Sequence, residues 1–356
     1  MKIAIIGGGA AGFFAALTAK EANPKAEVHL FERSNKLLAK VRLSGGGRCN
    51  VTHACFDPKA LVLNYPRGHK ELLGPFHRFQ PQDTIAWFES RGVPLKEEAD
   101  GRMFPLSNSS ETIISCFVQE AKKLGVHIHT QATITAIDKG FFLHGPDMAF
   151  DRLILTTGSS RFGWEVAKQF GHTIQSPVPS LFTFNIPNFP LEHLSGVSLP
   201  HATLTIAGTQ FLQTGPLLIT HWGFSGPVAL KLSAFAARYL AEKNYHITLQ
   251  VNWHPDQKLP KRLFKTLQER ETCFENDPYT VSGKTTNKAE FVTCGGITLS
   301  EVNFKTLESK RCPNLFFAGE ILDIDGITGG FNFQNAWTTA HLAGTAAANH
   351  SNSVSK

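Results

Sequence analysis

The first 32 residues contain the pattern that most restricts what this chain can fold into. An apolar run at residues 3–6 predicts a buried strand, and a glycine-rich turn follows at residues 7–12. A helical stretch then extends to about residue 22, and a second apolar run at residues 27–31 ends at Glu32. Strand, helix and strand in this order predict a βαβ unit and therefore a parallel sheet.

The turn has the spacing Gly7-x-Gly9-x-x-Gly12, and each glycine has its own physical task. Gly7 allows the tight turn, Gly9 lets the backbone approach a pyrophosphate, and Gly12 lets the helix pack closely on the strand. The helix N-terminus, which includes Ala10 and Ala11, offers free N–H groups and the positive end of its dipole to the phosphates. These five residues are therefore predicted cofactor contacts.

An acidic residue, Glu32, lies 20 positions beyond the last glycine. Its carboxylate can accept hydrogen bonds from both ribose hydroxyls of a nucleotide, and it would repel a 2′-phosphate. Arg33 follows it as a further candidate contact. Together these features predict a bound dinucleotide. The alternative is a glycine-rich turn in an ordinary α/β protein.

Length and composition limit the class of protein. A chain of 356 residues is too long for one ordinary domain and sufficient for two. Hydrophobic residues make up 42% and charged residues 18%, as in soluble globular proteins. No apolar run approaches the ~20 residues that span a bilayer, and no charged-then-apolar leader precedes the first strand. We therefore expect a cytoplasmic protein that does not enter a membrane.

The cysteines and histidines lack the spacing that is typical of metal ligands. The six cysteines contain no CxxC pair, and the 15 histidines contain no HExxH. His127 and His129 alternate along a predicted strand and therefore share a face, which indicates a polar sheet edge. We expect no metal site.

The net charge is modestly basic, at +6. This charge fits contact with a polyanion such as RNA, but many enzymes that handle acidic metabolites share it. No Lys/Arg-rich run and no known nucleic-acid-binding module occur in the sequence. RNA is therefore one candidate partner, and a small-molecule substrate is the alternative.

The sequence pattern changes about halfway along the chain. Prolines cluster at residues 177–200, and residues 181–300 contain short alternating segments that predict strands. Helical periodicity appears at residues 227–243 and 257–272. From residue 314 the strand, turn and helix pattern of the N-terminal part returns.

Three separated segments resemble those of FAD-binding proteins with two dinucleotide-binding folds. The first is the glycine turn with its acid, Glu32. The second is the strand and turn ILTTG, with Thr157 and Gly158, and the third is NLFFAGE, with Gly319 and Glu320. This order favours FAD over NAD as the tightly held cofactor and makes these residues predicted contacts.

A finer resemblance is to the BaiN-like, or aminoacetone-oxidase-like, family of FAD-dependent NAD(P)/FAD oxidoreductases. It rests on five segments in the family's order: KLLAKVRLSGGGRCNVTH, GRMFPLSNSSETI, GPLLITHWGFSGPVALKLSA, FVTCGGITLSEVNFKTLESK and LFFAGEILDIDGITGGFNFQNAW. The chain departs from the family in a shortened turn after Gly158 and a shortened region at about 255–290. Both departures bear on substrate identity more than on the flavin.

The resemblance implies an α/β fold with a discontinuous Rossmann-like FAD-binding domain, a β-rich insert and a small, reduced helical subdomain. We assign residues 1–178 and 311–356 to the FAD-binding domain. Residues 179–310 are assigned to a β-barrel-like insert with a short helical segment at about 227–290.

The glycine-rich loop at residues 44–50 is predicted to wrap the flavin. Its small residues let backbone N–H groups face phosphate or carbonyl oxygens, and Arg48 can neutralise charge. The alternative is a flexible surface loop. The candidate contacts in this loop are Ser44, Gly45, Gly46, Arg48 and Asn50.

The resemblance also assigns contacts ahead of the last helix. Gly330, Phe331 and Asn332 precede a helix N-terminus that would stabilise the negative charge of a reduced flavin. The alternative is an ordinary glycine turn before a helix.

Three single residues complete the predicted cofactor site. Lys40 matches the family's lysine and can contact pyrophosphate or substrate, or remain a solvated helix lysine. Asp323 can hydrogen-bond the ribityl chain or the substrate, or shape its own turn. Ile134, in a predicted strand, is the last candidate.

Two residues are candidates for proton transfer. His221, in the segment ITHWGFSGP, follows a predicted strand, and an ordinary histidine pKa of ~6.5 suits acid–base work. The alternative is a structural histidine. Cys49 is a candidate acid beside the flavin or a small packed residue. A catalytic dithiol with Cys55 is disfavoured, because no second GxGxxG is present for a NADPH domain.

These observations predict an FAD-dependent oxidoreductase whose reduced flavin, recharged by NADH or NADPH, delivers hydride to a conjugated C=C or C=N acceptor. Within the family we favour a uridine of ribosomal RNA, which would become dihydrouridine. The alternatives are a small-molecule enone reductase, an amine oxidase of the aminoacetone type, a non-catalytic FAD-bound RNA- or ribosome-binding protein, and a folate- and FAD-dependent tRNA methyltransferase.

Overall fold

The chain folds into two units, of which the first is built from both ends of the sequence. The computed structural model describes residues 1–254, 256–285 and 292–349. One unit comprises Met1–Pro177 and Gly295–Lys356, and the other comprises Val178–Cys294. The predicted α/β fold, with a discontinuous Rossmann-like domain and a β-rich insert, is confirmed.

The N-terminal part alternates strands and helices. Its elements are β1 Lys2–Ile6, α1 Ala10–Ala22, β2 Glu27–Phe31, α2 Ala39–Gly47, β3 Thr52–His53, α3 Pro58–Val62, α4 His69–Phe76, α5 Pro81–Glu89, β4 Leu95–Glu97, β5 Arg102–Pro105, α6 Ser110–Lys123, β6 His127–His129, β7 Ala136–Ile137, β8 Phe142–His144, β9 Met148–Ala149, β10 Arg152–Leu155, α7 Arg161–Gln169 and β11 Ile174–Ser180.

The second unit is richer in strands, and the C-terminal part returns to the first unit. The elements that follow are β12 Thr183–Asn185, β13 Ser198–Ile206, β14 Leu212–Ile219, β15 Gly223–Ser225, α8 Pro227–Phe235, α9 Ala237–Glu242, β16 His246–Asn252, α10 Lys261–Glu269, β17 Asp277–Ser282, β18 Lys284–Thr285, β19 Val292–Ile297, β20 Val302–Asn303, β21 Glu308–Ser309, β22 Leu315–Phe317 and α11 Phe331–Asn349. Among the described residues, every helix is too short or too polar to span a bilayer.

The main sheet of the first unit has the strand order β20-β21-β22-β10-β1-β2-β6. Strands β22, β10, β1, β2 and β6 are parallel, and Ile5 of β1 lies between Ile154 and Leu30 of its two neighbours. Because helices cover such a sheet, its central strands contain buried apolar runs, such as residues 3–6 of β1 and 153–155 of β10. The carboxyl ends of these parallel strands meet at one edge, where ligands bind in open α/β sheets.

In the structure the chain re-enters the first unit at Gly295, whereas the sequence analysis placed this boundary at residue 311. Strands β20 and β21 explain the difference. They pair antiparallel with each other and extend the main sheet beyond β22. Segments this short carry too little alternation to be assigned to a sheet from the sequence.

Helices α1 and α11 pack closely because small residues line their contact. A Cβ atom on Gly344 would lie 2.5 Å from the carbonyl oxygen of Ala15, so only glycine permits this approach. An aromatic cluster continues the core beside them, and its ring centroids are 4.9 to 5.5 Å apart for Phe14 with Trp87 and with Trp337. The N-terminal βαβ unit and the last helix therefore form one packed body.

Two predicted elements differ in detail from the structure. The last helix begins at Phe331, so Phe331 and Asn332, which were predicted to precede it, lie in its first turn. The predicted strand with His127 and His129 is β6, which joins the main sheet. Ile134, which was also predicted to lie in a strand, lies just before β7, which pairs with β8 in a different sheet. Between β6 and β7 the backbone of Ala132 donates to the carbonyl of Glu32, and this bond turns the chain away from the strand direction.

The second unit is an antiparallel sheet with the strand order β17-β16-β13-β14-β15-β12-β18. Its core includes the fully buried Phe184, Leu204 and Trp253. The predicted helical segment at about 227–290 is corrected: α8, α9 and α10 lie in it, but so do strands β16 and β17. These two strands pair antiparallel from His246 to Val251, which requires an extended backbone there.

Candidate functional site

The turn between β1 and α1 has no room for side chains at two of its glycines. The N–H of Gly7 donates to the carbonyl of Phe31 (2.8 Å), and Gly7 has a φ of +116°. A Cβ atom on Gly12 would lie 1.9 Å from the carbonyl oxygen of Gly7. These two glycines therefore hold the turn and the helix in their positions, as the sequence predicted.

The N-terminus of α1 faces open space. Gly9 is the N-cap, so no side chain satisfies the N–H groups of the first turn, which includes Ala10 and Ala11. A Cβ atom on Gly9 would have no described atom within 4 Å. Unsatisfied N–H groups, a helix dipole and empty space fit a phosphate group, and the pyrophosphate of a dinucleotide is such a group.

Glu32 is anchored at the carboxyl end of β2. One carboxylate oxygen accepts from Gly8 N–H (2.9 Å) and the other from Ser34 N–H (2.8 Å). Each oxygen keeps a further lone pair, so the carboxylate can also accept from ribose hydroxyls. Arg33 lies exposed beside it. The geometry of Glu32 fits the predicted adenosine end of the site.

A groove of ≈640 Å³ opens near the end of β2. The backbone N–H groups of Gln131 and Ala132 donate to the carbonyls of Ser34 and Glu32 (3.0 Å each), which ties the groove wall to the predicted ribose site. Ile134 is half-buried and follows the groove wall directly. The groove is lined by Phe31, Ile128, His129, Thr130, Gln131, Ala132, Thr133, Gly145 and Pro146.

Thr157 supplies a polar atom that the described residues leave without a partner. Its hydroxyl oxygen is buried and has no hydrogen-bond partner within the described ranges. The preceding Thr156 donates to the carbonyl of Ile6 (2.9 Å), and Gly158 has a φ of +59° that bends the chain away. Because buried hydroxyls are normally hydrogen-bonded, Thr157 fits a site that a ligand completes.

Two predicted contacts, Lys40 and Glu320, form an ion pair with each other. Glu320 follows Gly319, where a Cβ atom would lie 2.9 Å from that of Ala11. Lys40 is exposed and belongs to α2. The ion pair joins α2 to the turn after β22, beside the start of α1.

The glycine-rich loop interrupts helix α2. Ser44 has a ψ of 147°, and Gly45 and Gly46 have φ values of +59° and +68°. A Cβ atom on Gly46 would have no described atom within 4 Å, so this part of the loop borders open space. The guanidinium of Arg48 pairs with Glu98 (2.6 Å), so its charge is directed to that carboxylate in this structure.

Asn50 connects this loop with the start of α11. In the orientation that satisfies both of its groups, its amide donates to the carbonyl of Thr52 and accepts from Gly330 N–H, at 3.0 Å each. Asn332 holds the preceding turn, because its amide oxygen accepts from Gly326 N–H (2.8 Å). The ring of Phe331 stacks on His53, 4.7 Å between centroids. The structure thus brings the two predicted flavin loops together.

The loop that contains Asp323 is held by a buried ion pair that the sequence analysis missed. Asp323 is 7% exposed, and its N–H donates to the carbonyl of Ile297 (3.1 Å). Two residues further on, the fully buried Asp325 binds the guanidinium of Arg67 through both carboxylate oxygens. Arg67 and Asp325 are 258 positions apart, so no local sequence pattern could indicate that they form an ion pair. Tyr65 also donates to the carbonyl of Phe331 (2.6 Å).

The two predicted proton donors lie in different environments. Cys49 is fully buried, and burial raises the pKa of its thiol to about 12, so the thiol is neutral near pH 7. Its φ is +62°, in the region that favours glycine. His221 belongs to the second unit, where it follows β14 and lies exposed beside Trp222.

All the predicted cofactor contacts lie in the first unit. Most lie on the turns after β1, β2, β10 and β22 or at the start of α11, and the others lie in and just after α2 and between β6 and β7. This fold and this set of turns define a flavoprotein oxidoreductase with a Rossmann-type FAD-binding domain. The family described as "HI0933-like protein Rossmann domain" matches residues 1–346. The chain therefore belongs to the HI0933-like family, and the predicted resemblance to FAD-dependent oxidoreductases is confirmed.

Two named relatives are similar along nearly the whole chain. The "Ribosomal RNA dihydrouridine synthase" of Escherichia coli is 30% identical, over 94% of this chain and 95% of its own length. The "3-dehydro-bile acid delta(4,6)-reductase" of Clostridium scindens is 27% identical, over 98% of this chain and 99% of its own length.

Solved structures share the fold at low identity. A 3-ketosteroid delta1-dehydrogenase from Sterolibacterium denitrificans has a TM-score of 0.55 at 12% identity, and the match covers 97% of this chain and 99% of that one. The FrdA subunit of E. coli quinol fumarate reductase has a TM-score of 0.53 at 14% identity, over 98% of this chain and 70% of that one. These likenesses concern the fold alone.

Proposed function

We propose that this protein is an FAD-dependent reductase that takes reducing equivalents from NADH or NADPH and reduces a uridine of ribosomal RNA to dihydrouridine. The observation that carries the proposal is the 30% identity, over 94% of the chain, to a relative named ribosomal RNA dihydrouridine synthase. The net charge of +6 supports a polyanionic substrate.

The chemistry is a conjugate addition. The C5=C6 bond of uridine is conjugated with the C4 carbonyl, so hydride adds at C6, negative charge develops on O4, and a proton is delivered to C5. When bound, FAD supplies the hydride-transfer chemistry. The protein must therefore hold the cofactor, stabilise negative charge and supply a proton.

The residues of the first unit fit the first two tasks. The first turn of α1, opened by Gly9, offers N–H groups to the pyrophosphate, and Glu32 accepts from the ribose. The unpartnered hydroxyl of Thr157 is available to hydrogen-bond the cofactor. The start of α11, which Asn50 holds through Gly330, favours negative charge in front of it.

For the proton we propose His221, with Cys49 as the second candidate. An acid must hold its proton near neutral pH and must reach the acceptor. The exposed imidazole of His221 is accessible to a large substrate, whereas the Cys49 thiol holds its proton but is fully buried. His221→Asn should lower kcat with little change in FAD content, and Cys49→Ala should leave kcat within about twofold.

The test is a map of dihydrouridine in the host's ribosomal RNA, with and without this protein, by alkaline cleavage and primer extension. A site that disappears in the deletion strain and returns with purified protein and NADPH supports the proposal. A plasmid that encodes Gly12→Ala is the matched control, because the clash with Gly7 should prevent FAD binding. An unchanged map contradicts an RNA substrate.

A second candidate is reduction of a small conjugated enone. It is favoured by the 27% identity, over 98% of the chain, to the relative named 3-dehydro-bile acid delta(4,6)-reductase. Oxidation of NADH or NADPH that depends on a steroid enone would support it. Release of hydrogen peroxide from an amine would instead indicate an oxidase, and tight RNA binding without NAD(P)H oxidation would indicate a binding protein.

A further inference from the structure

Three histidines and a glutamate gather on one face of the main sheet, near its outer edge. A carboxylate oxygen of Glu27 lies 2.8 Å from Nε2 of His29. One ligand atom each of Glu27, His29 and His127 all lie within 4.8 Å of one another. Nε2 of His129 lies 2.9 Å from Nδ1 of His29.

Strand geometry explains why residues from two distant segments meet here. Side chains two positions apart on a strand share a face, so Glu27 and His29 of β2 point the same way. Strand β6 pairs with β2 in parallel, and His127 lies directly opposite His29. His129 is two positions further along β6 and therefore lies on the same face. The sequence analysis interpreted this alternation as a polar edge, since the partner strand was not known.

The donor atoms are suited to a borderline-soft cation. His29 and His127 each offer an imidazole nitrogen, and Glu27 offers a carboxylate oxygen. Two imidazoles and one carboxylate are ligands that Zn²⁺ takes in proteins.

We propose that Glu27, His29 and His127 form a Zn²⁺ site, with a fourth position open to water. Tetrahedral Zn²⁺ with bonds of ~2.0–2.1 Å holds its ligand atoms roughly 3.3 Å apart. The Glu27–His29 pair therefore has to open by about half an ångström. Glu27 is half-buried and His127 exposed, so both side chains have room to move.

His129 is the positioning residue of this site. When Nε2 of His29 binds the metal, Nδ1 carries the proton and donates to Nε2 of His129 across 2.9 Å. Such a hydrogen bond fixes the tautomer and the orientation of a metal-binding imidazole. His129 is itself held by stacking on Phe31, with ring centroids 4.6 Å apart.

Glu27 lies at the end of β2 away from the predicted cofactor residues, and one positive charge lies beside it. Glu27 begins β2, and Glu32 follows its other end, roughly 16 Å away at about 3.3 Å per residue. The ammonium of Lys2 lies 3.5 Å from the Glu27 carboxylate and competes for it. Removal of that charge should therefore strengthen metal binding.

The experiment titrates Zn²⁺ into the full-length, FAD-containing protein after treatment with a chelator, in competition with a coloured zinc indicator. We expect one equivalent to bind tightly. Glu27→Gln and His127→Asn should each weaken binding at least tenfold, and His129→Phe, which keeps the stacking, by roughly 10- to 100-fold. Lys2→Gln should strengthen it.

His69→Asn is the matched control, because His69 is exposed on α4 and distant in sequence from the cluster. Its affinity for Zn²⁺ should equal that of the unchanged protein. FAD content and secondary structure are measured for every variant, so that unfolding is recognised. The proposal is overturned if no equivalent binds at micromolar Zn²⁺, or if His127→Asn and Glu27→Gln bind Zn²⁺ as tightly as His69→Asn.

Discussion

Gly9 and Gly12 should respond differently to the same substitution, alanine. The two residues lie in one turn, but their surroundings differ. A Cβ atom on Gly9 would have no described atom within 4 Å, whereas one on Gly12 would lie 1.9 Å from the Gly7 carbonyl oxygen. Gly9 has a φ of −90°, which alanine adopts without strain. Of the two substitutions, only Gly12→Ala should therefore destabilise the FAD-free protein.

The magnitudes follow from the space that each methyl group enters. The Gly12→Ala methyl must move by about 1.5 Å to reach a normal contact distance, and such overpacking costs ~1–3 kcal/mol of folding free energy. The Gly9→Ala methyl enters the space assigned to the pyrophosphate. It should displace one charge-assisted hydrogen bond of ~1.5–3 kcal/mol, which weakens FAD binding roughly 10- to 150-fold.

Two measurements separate these effects. Urea denaturation of the FAD-free protein gives the free energy of unfolding, and calorimetric titration with FAD gives the dissociation constant. Gly9→Ala should keep the stability of the unchanged protein within ~0.5 kcal/mol and lose affinity, whereas Gly12→Ala should lose both. The reasoning is refuted if Gly9→Ala binds FAD as tightly as the unchanged protein, since the open space would then not hold the phosphates.

Three further predictions concern single interactions. Glu32→Gln places an NH₂ group against one of the two backbone N–H groups that donate to the Glu32 carboxylate. The affinity for FAD, measured by titration, should therefore fall about tenfold in Glu32→Gln and by less in Glu32→Asp, which keeps the carboxylate. Arg67→Met should lower the free energy of unfolding, measured in urea, by about 3–5 kcal/mol, because it leaves the fully buried Asp325 without its ion-pair partner. The double variant that also carries Asp325→Leu should regain most of this stability. A double variant as unstable as Arg67→Met alone would contradict the prediction. Because burial raises the pKa of Cys49 from 9.0 to about 12, the folded chain holds a proton that the unfolded chain releases, so the free energy of unfolding should fall as pH rises through this window. The free energy of unfolding of the Cys49→Ala variant should fall less steeply over the same pH range. In the native protein, iodoacetamide should modify the exposed Cys273 well before the buried Cys49, as peptide mass spectrometry would show.

The local parts of the candidate cofactor site could be predicted from the sequence. The glycine turn, α1, β2 and Glu32 lie within 32 consecutive residues, and each has a residue type that its conformation requires. Gly7 and Gly12 have no room for a side chain, and Glu32 lies where β2 ends. Such features depend on interactions between near neighbours in the chain, which a sequence pattern records directly.

The contacts that join distant segments were decided by the tertiary structure. Asn50 reaches Gly330, Lys40 reaches Glu320, and Arg67 reaches Asp325 across more than 250 positions in the chain. None of these side chains is unusual for its local segment. They all lie in the first unit, and they meet through the packing of that whole unit, which depends on the sum of many weak contacts.

The face of β2 shows the same division between local and distant information. The alternation of His127 and His129 indicated a shared face, but it did not reveal which strand would lie beside them. Only the parallel pairing of β6 with β2 sets His127 opposite His29 and within reach of Glu27. A strand's own sequence determines which side chains share a face, whereas its neighbour in the sheet is selected by the packing of the whole domain.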